Sequence, residues 1–280
     1  MTTTLMDPQS LLGEAAAALR AGELVPYLGP GVSALGAQPV PLSPETLADW
    51  FGTKIALPKR ARGNAWAAAQ HIESYKHRNT VTALMAEAFA TPVEPSPLHS
   101  YLATLALPLI VDSWYAAEMR QALAARDDWI EVQGITRAGI GEDRWFRFYR
   151  PDGSDADAAS AGNAATVLYT PHGSVIPARN FLISDADYVE VLTEIDIQTP
   201  IPEVVRDRRR TKSFLFLGCR FNDQLLRSYA RQITKRSIDP HFAVVDMETL
   251  TRNERVFLEE RNITPIDMPL AQALDSLITA

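Results

Sequence analysis

Five short segments whose residue types could do chemistry each follow a run of apolar residues. They are Gly29-Pro30-Gly31-Val32-Ser33, Asp112-Ser113, His172-Gly173-Ser174, Gly218-Cys219 and Asp246. Glycines let backbone amides approach a phosphate closely, and an acid at the end of a late strand can accept ribose hydroxyls. The set therefore predicts a nucleotide pocket, since it combines small residues, hydroxyls, one imidazole and two carboxylates.

Each of these segments also has a purely structural interpretation. A glycine pair after a strand is more often a tight turn than a phosphate cradle, and the spacing after Leu28 is not the G-x-G-x-x-G fingerprint. His172 beside Gly173 is typical of a turn with a satisfied imidazole, and Cys219 of a small buried residue. The pocket hypothesis rests on the segments taken together and in order.

The apolar runs must belong to elements that bring these segments together. Short apolar strands alternate with amphipathic helices, which is typical of a parallel sheet covered on both faces. We expect an α/β, Rossmann-like fold in a single domain over 1–280, with a helical insertion at 38–107. Alternating residues on either side of Gly139 and Gly141 predict a β-hairpin and loop insertion at 126–165, with one solvated face. Pro26 argues against a central position for the first strand, because it cannot donate to a ladder.

Composition narrows the class of protein. Of the 280 residues, 46% are hydrophobic and 22% charged, with 27 basic and 34 acidic residues giving a formal charge of −7. An acidic chain repels a polyphosphate backbone, so nucleic acid is not expected as a partner. No apolar stretch reaches the ~18–20 residues of a membrane span, and the first ten residues lack the basic start of a secretory signal. A single cysteine, Cys219, excludes a disulfide within the chain and favours the cytoplasm.

In order and spacing, over about residues 24–266, the motifs resemble the sirtuin (silent information regulator) family, in particular its zinc-free bacterial branch. The first family motif, Gly-Ala-Gly-x-Ser, is matched by residues 29–33 with Pro30 in place of alanine. The second, an apolar strand ending in Thr-Thr/Gln-Asn-Tyr/Ile-Asp, falls on residues 110–116. His-Gly-Ser is residues 172–174. The branch's later patterns fall on residues 181–188 and on 217–223.

The resemblance implies NAD as the ligand and cleavage of its nicotinamide–ribose bond as the chemistry, with His172 as the general base. It also shows two departures: the family's catalytic asparagine aligns with Trp114, and the following aspartate with Ala116. One cysteine cannot build the zinc ribbon, so protein deacetylation is not expected. Asp112, Ser113 or Asn163 would have to replace the asparagine, and we assign Asp112 and Ser113 to the catalytic group with His172. The expected NAD contacts are Gly29, Gly31, Val32, Ser33, Trp114, Gly218, Cys219, Asp223 and Asp246.

Two functions from different classes remain open. The first is an NAD glycohydrolase or ADP-ribosyl-transfer enzyme that uses His172. The second is a catalytically reduced module that binds NAD or ADP-ribose as a sensor or scaffold, favoured by the missing asparagine and by Pro30. A Rossmann-like protein with another nucleotide, or with none, is a third alternative. A protein partner or a second copy of the chain also stays open as a partner.

Two further patterns have structural interpretations. The basic run at 206–212 could touch phosphate or an acidic partner, but it is more typical of a solvated helix end before a strand. His71 and His77 are six residues apart, which is not a helical metal-ligand spacing, so no metal is expected. The insertion at 126–165 lies between the second and third motifs, where it would replace the zinc ribbon as a lid.

Overall fold

The computed structural model describes residues 7–36, 39–136, 145–194 and 201–279. Within these residues, nine strands form one sheet and two more pair in a short hairpin. The strands, in chain order, are β1 (Leu24–Leu28), β2 (Leu109–Asp112), β3 (Trp129–Gly134), β4 (Phe146–Tyr149), β5 (Asp155–Ala156), β6 (Thr166–Thr170), β7 (Gly173–Ser174), β8 (Asn180–Phe181), β9 (Ser213–Leu217), β10 (His241–Val245) and β11 (Ile263–Asp267).

The main sheet has the order β11-β10-β9-β1-β2-β6-β3-β4-β5. The first seven strands in this order are parallel, β4 runs antiparallel to β3, and β5 runs antiparallel to β4. The chain passes from β1 to β2 on one side of β1, and after β6 it crosses to β9 on the other side. The strand order therefore reverses between β1 and β9, where sheets of this kind bind ligands beyond the carboxyl ends of their strands. The predicted α/β, Rossmann-like class is confirmed.

Helices cover both faces of this sheet. In the described part of the chain they are α1 (Pro8–Arg20), α2 (Pro44–Lys54), α3 (Ala65–Lys76), α4 (Arg78–Ala88), α5 (Pro97–Thr104), α6 (Glu118–Ala122), α7 (Ala158–Asn163), α8 (Asp185–Glu194), α9 (Glu203–Arg209), α10 (Gln224–Thr234), α11 (Arg252–Glu260) and α12 (Leu270–Thr279).

Alternate residues of each central strand enter two different cores. Leu24 and Leu28 of β1 pack with α1, α5 and α12 on one face of the sheet. Val25 and Tyr27 pack with α9, α10 and α11 on the other face. All five residues of β1 are buried, as expected for a strand covered on both sides.

The expectation that Pro26 keeps β1 from a central position is wrong. β1 pairs with β9 along all five residues, but its pairing with β2 begins only at Tyr27. The hydrogen-bonded ladder between β1 and β2 starts at Tyr27, one residue after Pro26. Pro26 is accommodated because no amide donor is needed from it in that ladder.

A third core lies in the helices between β1 and β2. Phe51, Trp66 and Met85 pack there with Trp114, which follows β2. Arg78 of α4 donates to the buried carboxylate of Asp187 in α8 over 2.6 Å and so attaches these helices to the rest of the chain. Within 38–107, where we expected a helical insertion, the structure has α2 to α5.

In the region of the predicted hairpin, β3 and β4 pair antiparallel, and residues 137–144 between them lie outside the described part. The prediction of a solvated face on its first strand is wrong, because all six residues of β3 are buried. β3 also pairs in parallel with β6. The hairpin therefore extends the main sheet.

The basic run at 206–212 is structural. Arg208 donates to backbone carbonyls of five residues, among them Pro108 and Ala164. Arg209 donates to the carbonyls of Gln232 and Ile233 near the end of α10. Arg208 and Arg209 therefore hold the ends of neighbouring helices and strands together, and the donors that they use there are not available to a phosphate.

Among the described residues, no helix is both long and apolar enough to cross a membrane. The same residues contain no group of three or more histidine, cysteine, aspartate or glutamate side chains that could hold a metal ion.

Candidate functional site

A cavity of about 160 Å³ lies at the carboxyl ends of β1, β2 and β9. This volume is close to that of an engineered protein cavity that admits benzene, so it suits one ring system. Its walls come from the turns after β1, β2, β6 and β9 and from four helices, namely the start of α2 together with α3, α8 and α10. The aromatic side chains that line it are Tyr27, Trp66, Trp114, Tyr115, Tyr188 and Phe221.

The glycine turn after β1 forms one wall, but its amides are already bonded. The amide of Gly29 donates to Leu217 over 2.9 Å, that of Gly31 to Gly218 over 2.9 Å, and that of Val32 to Gly29 over 3.1 Å. Pro30 has no amide hydrogen. In this structure none of these four residues has a free backbone donor for the phosphate that the sequence led us to expect. Val32 points into the first core and is fully buried.

The glycines are instead required by a close approach between two loops. A Cβ on Gly31 would lie 2.9 Å from Cα and O of Gly218, and one on Gly29 would lie 2.5 Å from the same oxygen. Gly218 itself has φ +64°, a left-handed conformation that favours glycine. The turn after β1 and the turn after β9 can therefore pack directly on each other's backbone.

Ser33 and Asp112 lie behind this turn and do not line the cavity. The buried hydroxyl of Ser33 donates to the carboxyl of Glu118 at the start of α6. Burial raises the pKa of Glu118 to about 7 and that of Asp112 to about 8. Asp112 also accepts the amide of Trp114 over 3.1 Å. These groups form a buried acidic cluster that shapes the turns without facing a ligand.

His172 is the group best placed for chemistry. It follows β6, lines the cavity and is 3% exposed. Its Nδ1 bonds the carbonyl oxygen of Ser113 over 3.0 Å, an arrangement that requires Nδ1 to carry the hydrogen. Nε2 is then an unprotonated acceptor, and this buried atom has no partner among the described residues.

Burial lowers the pKa of His172 to about 4, although the bond to Ser113 acts in the opposite direction. The ring lies between those of Tyr188 and Tyr229, with centroids 5.2 and 5.0 Å away. The imidazole is therefore neutral and held in one orientation at neutral pH, as a base must be before it accepts a proton.

Trp114 forms the wall that follows β2. Its indole nitrogen donates to the carbonyl oxygen of Pro41 over 3.0 Å, and its ring packs on Phe89 and Tyr115. The side chain is 5% exposed. Trp114 thus lines the cavity and belongs to the third core at once, and its only polar hydrogen is not free to bind a ligand.

Ser113 and Cys219 also line the cavity, but their polar atoms face the backbone. The hydroxyl of Ser113 donates to Leu28 over 2.7 Å. The thiol of Cys219 lies 3.5 Å from the carbonyl oxygens of Tyr27 and Leu217, and burial raises its pKa well above the usual range. Gly218 and Cys219 therefore contribute shape, and the thiol stays protonated.

Asp223 and Asp246 do not line the cavity. Asp223 caps α10 by accepting the amide of Leu225 over 2.7 Å. Asp246 accepts the amide of Glu248 over 3.0 Å at the end of β10. Asn163, the other substitute for the family asparagine, ends α7 and also lies outside the lining.

Sequence reasoning missed Trp66 and Arg220. Trp66 lies in a helical pattern in which an aromatic residue is typical of a core, so no local signal separated it from Phe51. Arg220 follows Gly218 and Cys219, and its charge was the available signal. Among the described residues that line the cavity, it is the one arginine or lysine.

The family model for a SIR2-like domain matches residues 108–266. The chain belongs to the SIR2-like family. The matched region begins just before β2 and contains Trp114, His172 and the turn after β9, whereas the glycine turn after β1 precedes it. A search of curated proteins found no match.

The SIR2-like family binds NAD, so membership in it gives the chain an NAD-related function. The cavity lies where the strand order reverses, which is the position that such a sheet offers to a nucleotide. Trp114, where the family resemblance led us to expect a catalytic asparagine, forms part of the wall of this cavity.

Proposed function

We propose that the chain binds NAD with its nicotinamide–ribose end in the cavity, and that His172 is the general base for hydrolysis of the bond between them. The observation that carries this proposal is the buried, unpartnered Nε2 of His172, which lines a cavity of ring size. A buried acceptor without a partner is costly to maintain, and a ligand hydroxyl or water would satisfy it.

The reaction would break the bond between the pyridinium nitrogen and ribose C1′. The bonding electrons go to the nitrogen, so nicotinamide leaves as a neutral molecule and positive charge develops on the ribose. A water oxygen then bonds to C1′, and its proton passes to Nε2 of His172 and on to solvent. The products are nicotinamide, ADP-ribose and one proton. The aromatic walls would stabilise the pyridinium cation before cleavage.

We expect turnover to be slow, because no described residue replaces the family asparagine. The hydroxyl of Ser113 is bonded to Leu28, and the carboxyl of Asp112 lies outside the lining. Trp114 has one donor and no acceptor, and that donor is bonded to Pro41. His172 would therefore have to act on a water that no side-chain amide positions.

A second candidate is binding of NAD or ADP-ribose without turnover. The bonded indole of Trp114 favours it, because the wall that should orient water or the ribose is fixed and apolar. In that case His172 would only bond a ribose hydroxyl.

One experiment separates the two. Purified protein is incubated with NAD, nicotinamide release is followed by chromatography, and NAD and ADP-ribose binding are measured by calorimetry. Release that falls by about 10²–10⁴-fold in His172→Ala supports hydrolysis by this base. His71→Ala, which changes a histidine outside the cavity lining, is the matched control. Binding without release supports the second candidate, and the absence of both overturns the two proposals.

A further inference from the structure

The negative charge of a bound NAD or ADP-ribose needs a partner that the first glycine turn does not supply. A diphosphate is normally bound by backbone amides or cationic side chains. The amides of Gly29, Gly31 and Val32 are bonded within the protein, and Pro30 has none. The negative charge of the diphosphate must therefore be neutralised by another group at the cavity.

Arg220 is fixed at the mouth of the cavity with part of its guanidinium free. Its Nε and Nη2 donate to the two carboxyl oxygens of Glu254 over 2.8 and 2.9 Å, and Nη2 also reaches the carbonyl of Thr249. Nη1 makes no hydrogen bond to any residue that the structure describes. The side chain is 45% exposed and lines the cavity.

Glu254 makes this position rigid. Its side chain is fully buried and also accepts the amides of Phe221 and Thr251. Burial acts to raise the pKa of Glu254, but the hydrogen bonds from Arg220 and Thr251 outweigh it and lower the pKa to about 2. The pair therefore stays ionised across the physiological range, and Glu254 holds Arg220 in the lining of the cavity without lining it itself.

An acidic side chain already lies on the open side. Glu45, near the start of α2, lines the cavity and accepts a hydrogen bond from the side-chain amide nitrogen of Asn222 over 3.4 Å. The hydrogen bonds that Arg220 donates to Glu254 raise the pKa of Arg220, and the carboxylates of Glu45 and Asp246 add to this effect. The contact between Glu45 and Asn222 also joins α2 to the turn after β9 across the mouth.

From these contacts we infer that Arg220 binds the diphosphate of the ligand, and that Glu45 is the anion that the diphosphate displaces when it enters. The inference rests on the proposed function, since it takes NAD or ADP-ribose as the ligand, but it does not depend on turnover. Glu45 thereby sets the affinity, because its charge stabilises the guanidinium of Arg220 and repels the incoming phosphates.

The two residues should have opposite effects on ADP-ribose affinity measured by calorimetry. Arg220→Ala should weaken binding by about 10–100-fold, the share of a charge-assisted hydrogen bond to phosphate. Arg220→Lys should weaken binding less, because lysine keeps the positive charge but lacks the paired N–H donors of the guanidinium group. Glu45→Gln should tighten binding by ~3–10-fold, since it can keep the bond to Asn222 without the charge. The affinity gained by Glu45→Gln should be smaller in about 0.5 M salt, because salt at this concentration screens an exposed charge.

Controls change the same charges elsewhere. Asp49→Asn removes an exposed acid from the same helix as Glu45, and Arg252→Ala removes an exposed arginine of α11. Both should leave affinity within about twofold, as surface charges outside the contact usually do. Circular dichroism and melting curves show whether each variant is folded, and the Glu45→Gln result stands even if Arg220→Ala unfolds.

Binding that is unchanged in Arg220→Ala, or not tightened in Glu45→Gln, would overturn the inference and leave the proposed function intact. Nicotinamide release measured on the same samples tests the other claim. Release that does not depend on His172, with binding that still depends on Arg220, would overturn the catalytic proposal alone. A wild-type protein that binds neither NAD nor ADP-ribose would overturn both.

Discussion

The amide of Gly31 donates to the carbonyl oxygen of Gly218 over 2.9 Å, so the turns after β1 and β9 are bonded to each other. These turns flank the point where the strand order reverses. The bond takes a donor that would otherwise be free for a phosphate, and it brings the two backbones too close for a Cβ at Gly31. The glycines of this SIR2-like chain thus shape the cavity floor.

Alanine at Gly31 or Gly218 should destabilise the fold as a whole. A Cβ on Gly218 would lie 2.4 Å from the amide nitrogen of Val32 and would also be strained at φ +64°. We expect a loss of about 2–4 kcal/mol in the free energy of unfolding for each variant, measured by urea denaturation.

Gly13 is the control for these variants. It lies in α1, and nothing is within 4 Å of a Cβ built on it. Gly13→Ala should therefore stabilise the protein by up to ~1 kcal/mol, the usual helix preference for alanine. If Gly31→Ala keeps full stability but loses ADP-ribose binding, the turn has the phosphate role that its bonded amides argue against.

The pH dependence of nicotinamide release should report the lowered pKa of His172. With a pKa of about 4, the imidazole is already deprotonated at pH 5, so kcat/KM should stay nearly constant from pH 8 to pH 5. A base with an ordinary imidazole pKa near ~6.5 would instead lose activity across this range. A fall centred near pH 6.5 would contradict the buried, neutral state of His172.

The lowered pKa of His172 should also make the stability of the fold depend on pH. The unfolded chain binds a proton at this histidine near pH ~6.5 and the folded chain only near pH 4, so the free energy of unfolding falls as pH drops between those values. His99 is shifted in the same way by burial and adds to the loss. Rates should therefore be measured together with circular dichroism at each pH.

Replacing Trp114 tests whether the indole limits turnover. Trp114→Asn removes a buried ring that packs on Phe89 and Tyr115, which should cost about 3–5 kcal/mol of stability. It also places an amide that can donate and accept beside the cavity. If Nε2 of His172 is the base, nicotinamide release should rise above that of the wild type.

Trp114→Phe is the matched control, because it keeps an apolar ring and removes only the bond to Pro41. It should not raise release. A lower melting temperature in Trp114→Asn without any gain in release would show that Trp114 acts only in packing. The wild type should also bind ADP-ribose at least as tightly as NAD, because ADP-ribose lacks the ring that competes with the indole.

The buried acid Glu118 should make the protein less stable as pH rises. Its pKa is about 7 in the folded state, above the usual value, so the folded chain holds a proton that the unfolded chain has released. The stability gained from that proton is present below pH ~4.5 and is lost as pH rises through about 7. Glu118→Gln removes this dependence while leaving an acceptor for Ser33.

Urea denaturation between pH 5 and pH 8 checks this prediction. The stability of Glu118→Gln relative to the wild type should increase by about 1–3 kcal/mol over that interval, whatever the constant cost of the new amide. Glu14→Gln, on the exposed face of α1, should show no such trend. A difference that stays constant with pH would mean that Glu118 has an ordinary pKa in the folded protein.

The order of elements was predictable because it depends on local patterns. Apolar runs of four or five residues alternating with amphipathic helices indicate a parallel sheet, and Ser184 with Asp187 marked the start of α8. Their side chains and amides do bond reciprocally. The position of Pro26 was not predictable, since whether a strand needs every amide depends on where its neighbours begin to pair.

Within the site, the sequence alone determined that His172, Trp114, Ser113 and the two glycine turns lie at the same edge of the sheet, because residues after parallel strands must meet there. Only the tertiary structure decided what their polar atoms do. It bonded the amide of Gly31 to Gly218 and the indole of Trp114 to Pro41, and it left Nε2 of His172 without a partner among the described residues. These pairings join residues far apart in the chain, and a hydrogen bond depends on distance and direction in space, which residue type and spacing do not specify.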